Sequence, residues 1–128
     1  MTLKSMLLAA LAGFATMAAA HHSFAVYDMT TTVEFEGVVE TLKFRNPHIA
    51  MTLLRKNEDG EEEKVEFVEG APANMLVRMG LDPARIKPGT KIKAVGSPRT
   101  DNPNAYFLRT IILEDGTRFE SLGNDRER

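Results

Sequence analysis

The stretch Val33–Phe44, VEFEGVVETLKF, decides the fold. Val33, Phe35, Gly37 and Val39 alternate with polar or charged residues, and a period of two with β-branched and aromatic members specifies a strand. Gly37 inside the run points to a bulge or sharp bend. The apolar set then changes phase to Val38, Leu42 and Phe44, as an inserted residue requires. A long strand bent in this way suits one that takes part in closing a barrel.

Working outward, Asn46-Pro47 is a turn signal, and His48–Lys56 (HIAMTLLRK) predicts a second strand. Asp59-Gly60 lies in a hairpin turn leading to a third strand, Lys64–Glu69, with Val65 and Phe67 on one face. In Ala71–Gly80 the residues Met75, Leu76 and Met79 stand at helical spacing and Gly80 supplies the stop. Asp82–Gly89 is a loop or single turn. Thr90–Pro98 and Ala105–Asp115 predict a fourth and a fifth strand, and Asp115-Gly116 turns into the short TRFES. The order β-β-β-α-β-β is all-β with one short helix. It is the order of an OB-fold-like, five-stranded Greek-key barrel; another small barrel or an open sandwich is the competing architecture.

Upstream, the chain opens as a secretory signal peptide over residues 1–20: Lys4, an apolar run from Met6 to Phe14, and the small-residue site Ala18-Ala19-Ala20. The apolar run is too short to span a bilayer, which needs about 20 residues. Cleavage after Ala20 would leave a soluble periplasmic or secreted chain of a Gram-negative bacterium. It would comprise an arm (21–32), the barrel (33–122) and a disordered tail (123–128), with no stable membrane insertion. Loss of Lys4 leaves 15 basic against 18 acidic side chains. That balance, with no basic aromatic strand face, argues against nucleic acid. There is no cysteine, so neither a disulfide nor a thiolate nucleophile is available.

The chain holds three histidines, all in two short phrases: His21 and His22 in AHHSF, and His48 in RNPH. A chain beginning at His21 would offer an α-amine and an imidazole on one residue, and a second imidazole from His22 or His48 would complete a nitrogen-rich tetragonal set suited to Cu(II) or Ni(II). Cleavage one residue earlier would place His22 third, another square-planar set for the same ions. Asn46 can close an Asx-turn, and Pro47 fixes the direction in which His48 leaves it. The competing reading is a polar start and a turn histidine. Met75 and Met79 belong to the core by spacing, and Met51 lies on the opposite strand face from His48. Glu66 and Glu69 also face opposite ways. The acidic run Glu58–Glu63 is a solvated hairpin tip. No G-x-S-x-G, phosphate loop or dinucleotide fingerprint is present, and the residues assemble no enzyme, a copper histidine brace at His21 being a remote case.

These phrases carry a resemblance. AHHSF (Ala20–Phe24), NPH (Asn46–His48), Glu69 with Pro72 and Leu76 at the helix entry, and the Lys87–Gly89 turn resemble a family of small exported bacterial proteins catalogued as a domain of unknown function. The likeness spans the mature chain. It implies export, a compact β-domain, and that the two histidine phrases belong together. Relatives carry tryptophans near N-P-H and in the third strand. This chain has none, and Ile49 and Phe67 stand in those places. The expectation is therefore a binding protein: a metal ion, copper(II) first, held by His21, His22 and His48. The alternative is a module of the cell envelope that binds a non-metal ligand or a protein.

Overall fold

A computed structural model describes residues 24–121. The elements are β1 (Val33–Lys43), β2 (Ala50–Lys56), β3 (Glu62–Glu69), α1 (Ala73–Arg78), a 3-10 turn (Pro83–Ile86), β4 (Lys91–Pro98), β5 (Ala105–Ile112) and β6 (Arg118–Glu120). Hydrogen bonding runs in the order β3-β2-β1-β4-β5-β6, and β3 also pairs with β5 in parallel. That last pairing, through Glu66↔Ala105, Phe67↔Tyr106 and Glu69↔Phe107, closes the first five strands into a barrel. With α1 between β3 and β4, this is the OB-like architecture. The expected leader, His21 and His22, and the tail 123–128 lie outside the described residues. Among the described residues no helix is long and apolar enough to cross a membrane.

The barrel closes because β1 serves two neighbours. Its first half pairs with β4 (Val33↔Gly96 to Val38↔Lys91) and its second with β2 (Val38↔Leu54 to Lys43↔Ala50). The bulge sits later than expected. Phe35, Gly37 and Val39 all face inward, and the register against β2 slips between Val39 and Thr41, so Glu40 is the inserted residue. Leu42 and Phe44 then pack on the core in the new phase. Val38 therefore belongs to the outer face and is 39% exposed. Gly37 does not bulge; it lets two backbones meet, since a Cβ there would stand 2.6 Å from the Leu54 carbonyl oxygen.

Inside, Val39, Ile49, Leu53, Phe67, Leu76, Leu81, Ile86, Ile92 and Ile111 are almost wholly removed from water. Ile49 and Phe67 are thus core residues here. The helix is one short segment that packs Leu76 into this core and ends at Gly80, whose φ of +96 is natural only for glycine. Met75 packs partly on the core, but Met79 is 41% exposed. Placing it inside is corrected because the helix ends at Arg78, so Met79 caps it rather than continuing its buried stripe. Outside, cross-strand pairs such as Lys91–Glu36 and Lys64–Glu40 cover the sheet.

Candidate metal centre

The second strand begins at Ala50, so Asn46-Pro47-His48 is a loop rather than a strand start. Three bonds rivet that loop to the entry of α1. Arg45 O accepts from Ala73 N at 3.3 Å, and Ile49 N donates to Ala71 O at 3.0 Å. Asn46 Oδ1 accepts from Asn74 N at 3.0 Å. Pro72 occupies the N-cap and supplies no side-chain cap, so Asn46 takes that role from a distant part of the chain. The Asn46 side chain therefore caps the helix instead of closing its own turn. The Asn46–Pro47 bond is cis.

The next residue, His48, is held by this frame. Its Nδ1 stands 2.9 Å from Gly70 O. A carbonyl only accepts, so Nδ1 carries the proton and Nε2 is the nitrogen left for a proton or an ion. Nε2 lies 3.3 Å from Glu69 Oε1, with the imidazole 46% and the carboxylate 19% exposed. Glu69 Oε2 accepts from the Tyr27 hydroxyl at 2.9 Å. Burial, with the neighbouring Glu69 carboxylate, pushes the Tyr27 phenol up to about 12, so it remains a donor at neutral pH. Arg99 lies over the Tyr27 ring at 5.6 Å and grips Asp101 through two bonds of 2.8 and 2.7 Å.

A continuous polar row therefore runs His48–Glu69–Tyr27–Arg99–Asp101. It links the loop between β1 and β2 to the loop between β4 and β5, the two loops that OB-folds use for binding. The arm makes the connection. Tyr27 forms a bridge with Arg99, Asp28 N donates to Pro98 O, and Thr100 N donates to Val26 O. Arg109 Nη1 donates to Met29 O, and Ser97 Oγ donates to Thr31 O. Phe24 packs on Phe107 at 5.6 Å, and Phe107 is the cross-strand partner of Glu69.

Of the three histidines proposed as ligands, His48 is thus placed beside a carboxylate, while His21 and His22 lie outside the described residues. Met51 is buried in the core. Among the described residues no group of three or more His, Cys, Asp or Glu side chains converges; His48 and Glu69 form a pair. Sequence reasoning named Glu69 only as facing away from Glu66 and as part of the helix-entry motif, not as a site residue, and it missed Tyr27. Glu69 carried one signal: it falls in the inward phase of Val65 and Phe67, where an acidic residue is costly without partners. Tyr27 sits in a run with no period and carried none.

A model of a family of unknown function, DUF6152, matches residues 9–107, from within the N-terminal apolar run through both histidine phrases into β5. No curated protein and no solved structure matches the chain. The match takes in most of the barrel and both histidine phrases, and the chain belongs to this family of unknown function.

Proposed function

We propose that the chain is an exported, periplasmic or secreted metal-binding protein whose ion, copper(II) first, is held by His48 on the barrel and by His21 and His22 on the arm. The observation that carries this reading is the fixed His48. Its Nδ1 is committed to Gly70 O, the usual outer partner of a metal-bound histidine, and its Nε2 is left for an ion. The arm supports it. His22 lies two residues before Phe24, a reach of at most about 7 Å of chain, and Phe24 packs on the strand partner of Glu69. Nucleic acid is a poor fit. The outward residues of β2 and β3 include Thr52, Leu54, Lys64, Glu66 and Val68, with no aromatic ring on which a base could stack. The role is storage, sensing or delivery rather than catalysis.

A second reading, a module for a non-metal ligand or a protein, draws on the shallow groove between Val38, Leu54 and Arg55 on the outer sheet. One experiment separates the two. The exported protein, purified without an affinity tag, is weighed intact and titrated with Cu(II) while its spin-resonance spectrum is followed. A chain starting at His21 with one tight, nitrogen-rich site that His48→Ala abolishes is expected. Weak, multiple binding that ignores His48→Ala would contradict the metal reading and turn attention to the groove.

A further inference from the structure

We infer that Glu69 is itself a metal ligand, forming with His48 a nitrogen–oxygen half-site on the barrel, and that the site therefore favours divalent ions such as copper(II) over copper(I). This rests on the metal reading above and adds to it a residue and an ion class.

Geometry comes first. Two donors that each stand about 2.0–2.1 Å from one ion are separated by about 2.8–3.4 Å at coordination angles from square to tetrahedral. Nε2 of His48 and Oε1 of Glu69 are 3.3 Å apart. Both donors are also held from behind. Gly70 O fixes the imidazole through Nδ1, and the Tyr27 hydroxyl holds the other carboxylate oxygen. A histidine and a carboxylate with outer-shell hydrogen bonds on their far sides is the arrangement that orients ligands toward an ion. Both sit on braced backbone: Glu69 ends β3 and pairs with Phe107 of β5, and the His48 loop is tied to the segment entering α1 by three bonds.

Chemistry then gives the ion class. Imidazole and carboxylate are borderline and hard donors, which suit Cu(II) and Zn(II). Copper(I) prefers thiolate and thioether sulfur. The chain has no cysteine, and Met51, the methionine nearest His48 in sequence, is buried inside the barrel.

The test compares oxidation states on the full exported chain. Copper(II) affinity is measured by competition with a chelator, and copper(I) affinity anaerobically with a chromophoric chelator, for the wild type, Glu69→Gln and His48→Ala. Glutamine keeps the shape and an acceptor for Tyr27 but removes the charge. The expected result is a loss of at least about tenfold in copper(II) affinity for Glu69→Gln, with copper(I) affinity unchanged. Equal losses for both ions would mean that Glu69 only supports the fold, and no loss for either would mean that it is not a ligand. Either result overturns the inference, as does a wild type that holds copper(I) more tightly. A His48→Ala protein with unchanged copper(II) affinity would bring down the underlying metal reading instead. Should Glu69→Gln fail to fold, Glu69→Asp, which withdraws the carboxylate by one carbon, is read in the same way.

Discussion

Two arginines in this barrel lie over aromatic rings, and their surroundings differ in an instructive way. Arg55 stands over Phe35 at 5.4 Å and pairs with Glu63 at 3.2 Å. Phe35 in turn meets Phe67 and Tyr106 edge-on at 6.2 and 4.8 Å. Arg99 stands over Tyr27 and pairs with Asp101, but Tyr27 leads on to Glu69 and His48. The first cluster is built from strands that are already neighbours, and its rings feed the core. The second is assembled from an arm, two loops and a strand end, and it finishes in an imidazole and a carboxylate facing each other. Packing of the rings, with one ion pair at the rim, accounts for the first. The second spends arm and loop contacts on holding two polar groups at a half-exposed place, which is how a binding site differs from a plug.

Substitutions can break this contrast. The largest expected effect is on the packing cluster. Phe35→Ala empties a buried ring site and should cost about 3–5 kcal/mol in urea unfolding, with copper(II) affinity unchanged if the domain remains folded. His48→Ala should do the opposite. It removes a half-exposed side chain, its bond to Gly70 O and its contact with Glu69, together worth about 1 kcal/mol at this exposure, while copper(II) affinity falls at least about tenfold. If both substitutions moved stability and affinity together, the two clusters would not differ in kind.

Tyr27→Phe lies between these. It deletes the hydroxyl bond to the Glu69 carboxylate and should cost about 1.5 kcal/mol. It should also change the alkaline limb of the stability profile. The folded phenol keeps its proton up to about 12, against an ordinary 10, so its contribution is complete below pH 10 and is lost as pH rises toward 12. Urea unfolding across that window should show the fall in the wild type and a flatter profile in Tyr27→Phe. Tyr106, also raised by burial, retains the remainder. An unchanged profile would mean that burial and Glu69 do not hold the Tyr27 phenol up in the folded protein.

The smallest effect serves as a control away from both clusters. Asp115 is held down to about 2 by Thr117 and Arg85. Its contribution is present above the ordinary carboxylate range and is lost as pH falls toward 2. Asp115→Asn should flatten only this acid limb and leave the alkaline limb and copper binding as they were.

The fold was legible because alternation and turn residues are local signals. All five barrel strands and the glycine-ended helix can be read from neighbours a few residues apart; the sixth strand, Arg118–Glu120, is too short for alternation to show and reads only as a run after the Asp115-Gly116 turn. The bulge was misplaced to Gly37 because an inward glycine breaks the hydrophobic count just as an inserted residue does; only pairing with β2 shows that Glu40 is the extra one. Histidine scarcity drew attention to His48, but its partners came from elsewhere. Asn46 caps a helix 28 positions away, and Glu69 lies 42 positions from Tyr27. Such contacts depend on closure of the barrel, and the inward phase that marks Glu69 does not say which residues meet it.

The most direct test of a copper site at His48 and Glu69 is paramagnetic broadening in an amide NMR spectrum as Cu(II) is added below one equivalent to the purified protein. The account predicts that signals of Tyr27, His48, Ile49, Glu69 and Gly70 disappear first while those of Phe35, Arg55 and Glu63 persist. Broadening that spares His48 and Glu69, or that spreads evenly over the acidic hairpin from Glu58 to Glu63, would contradict it.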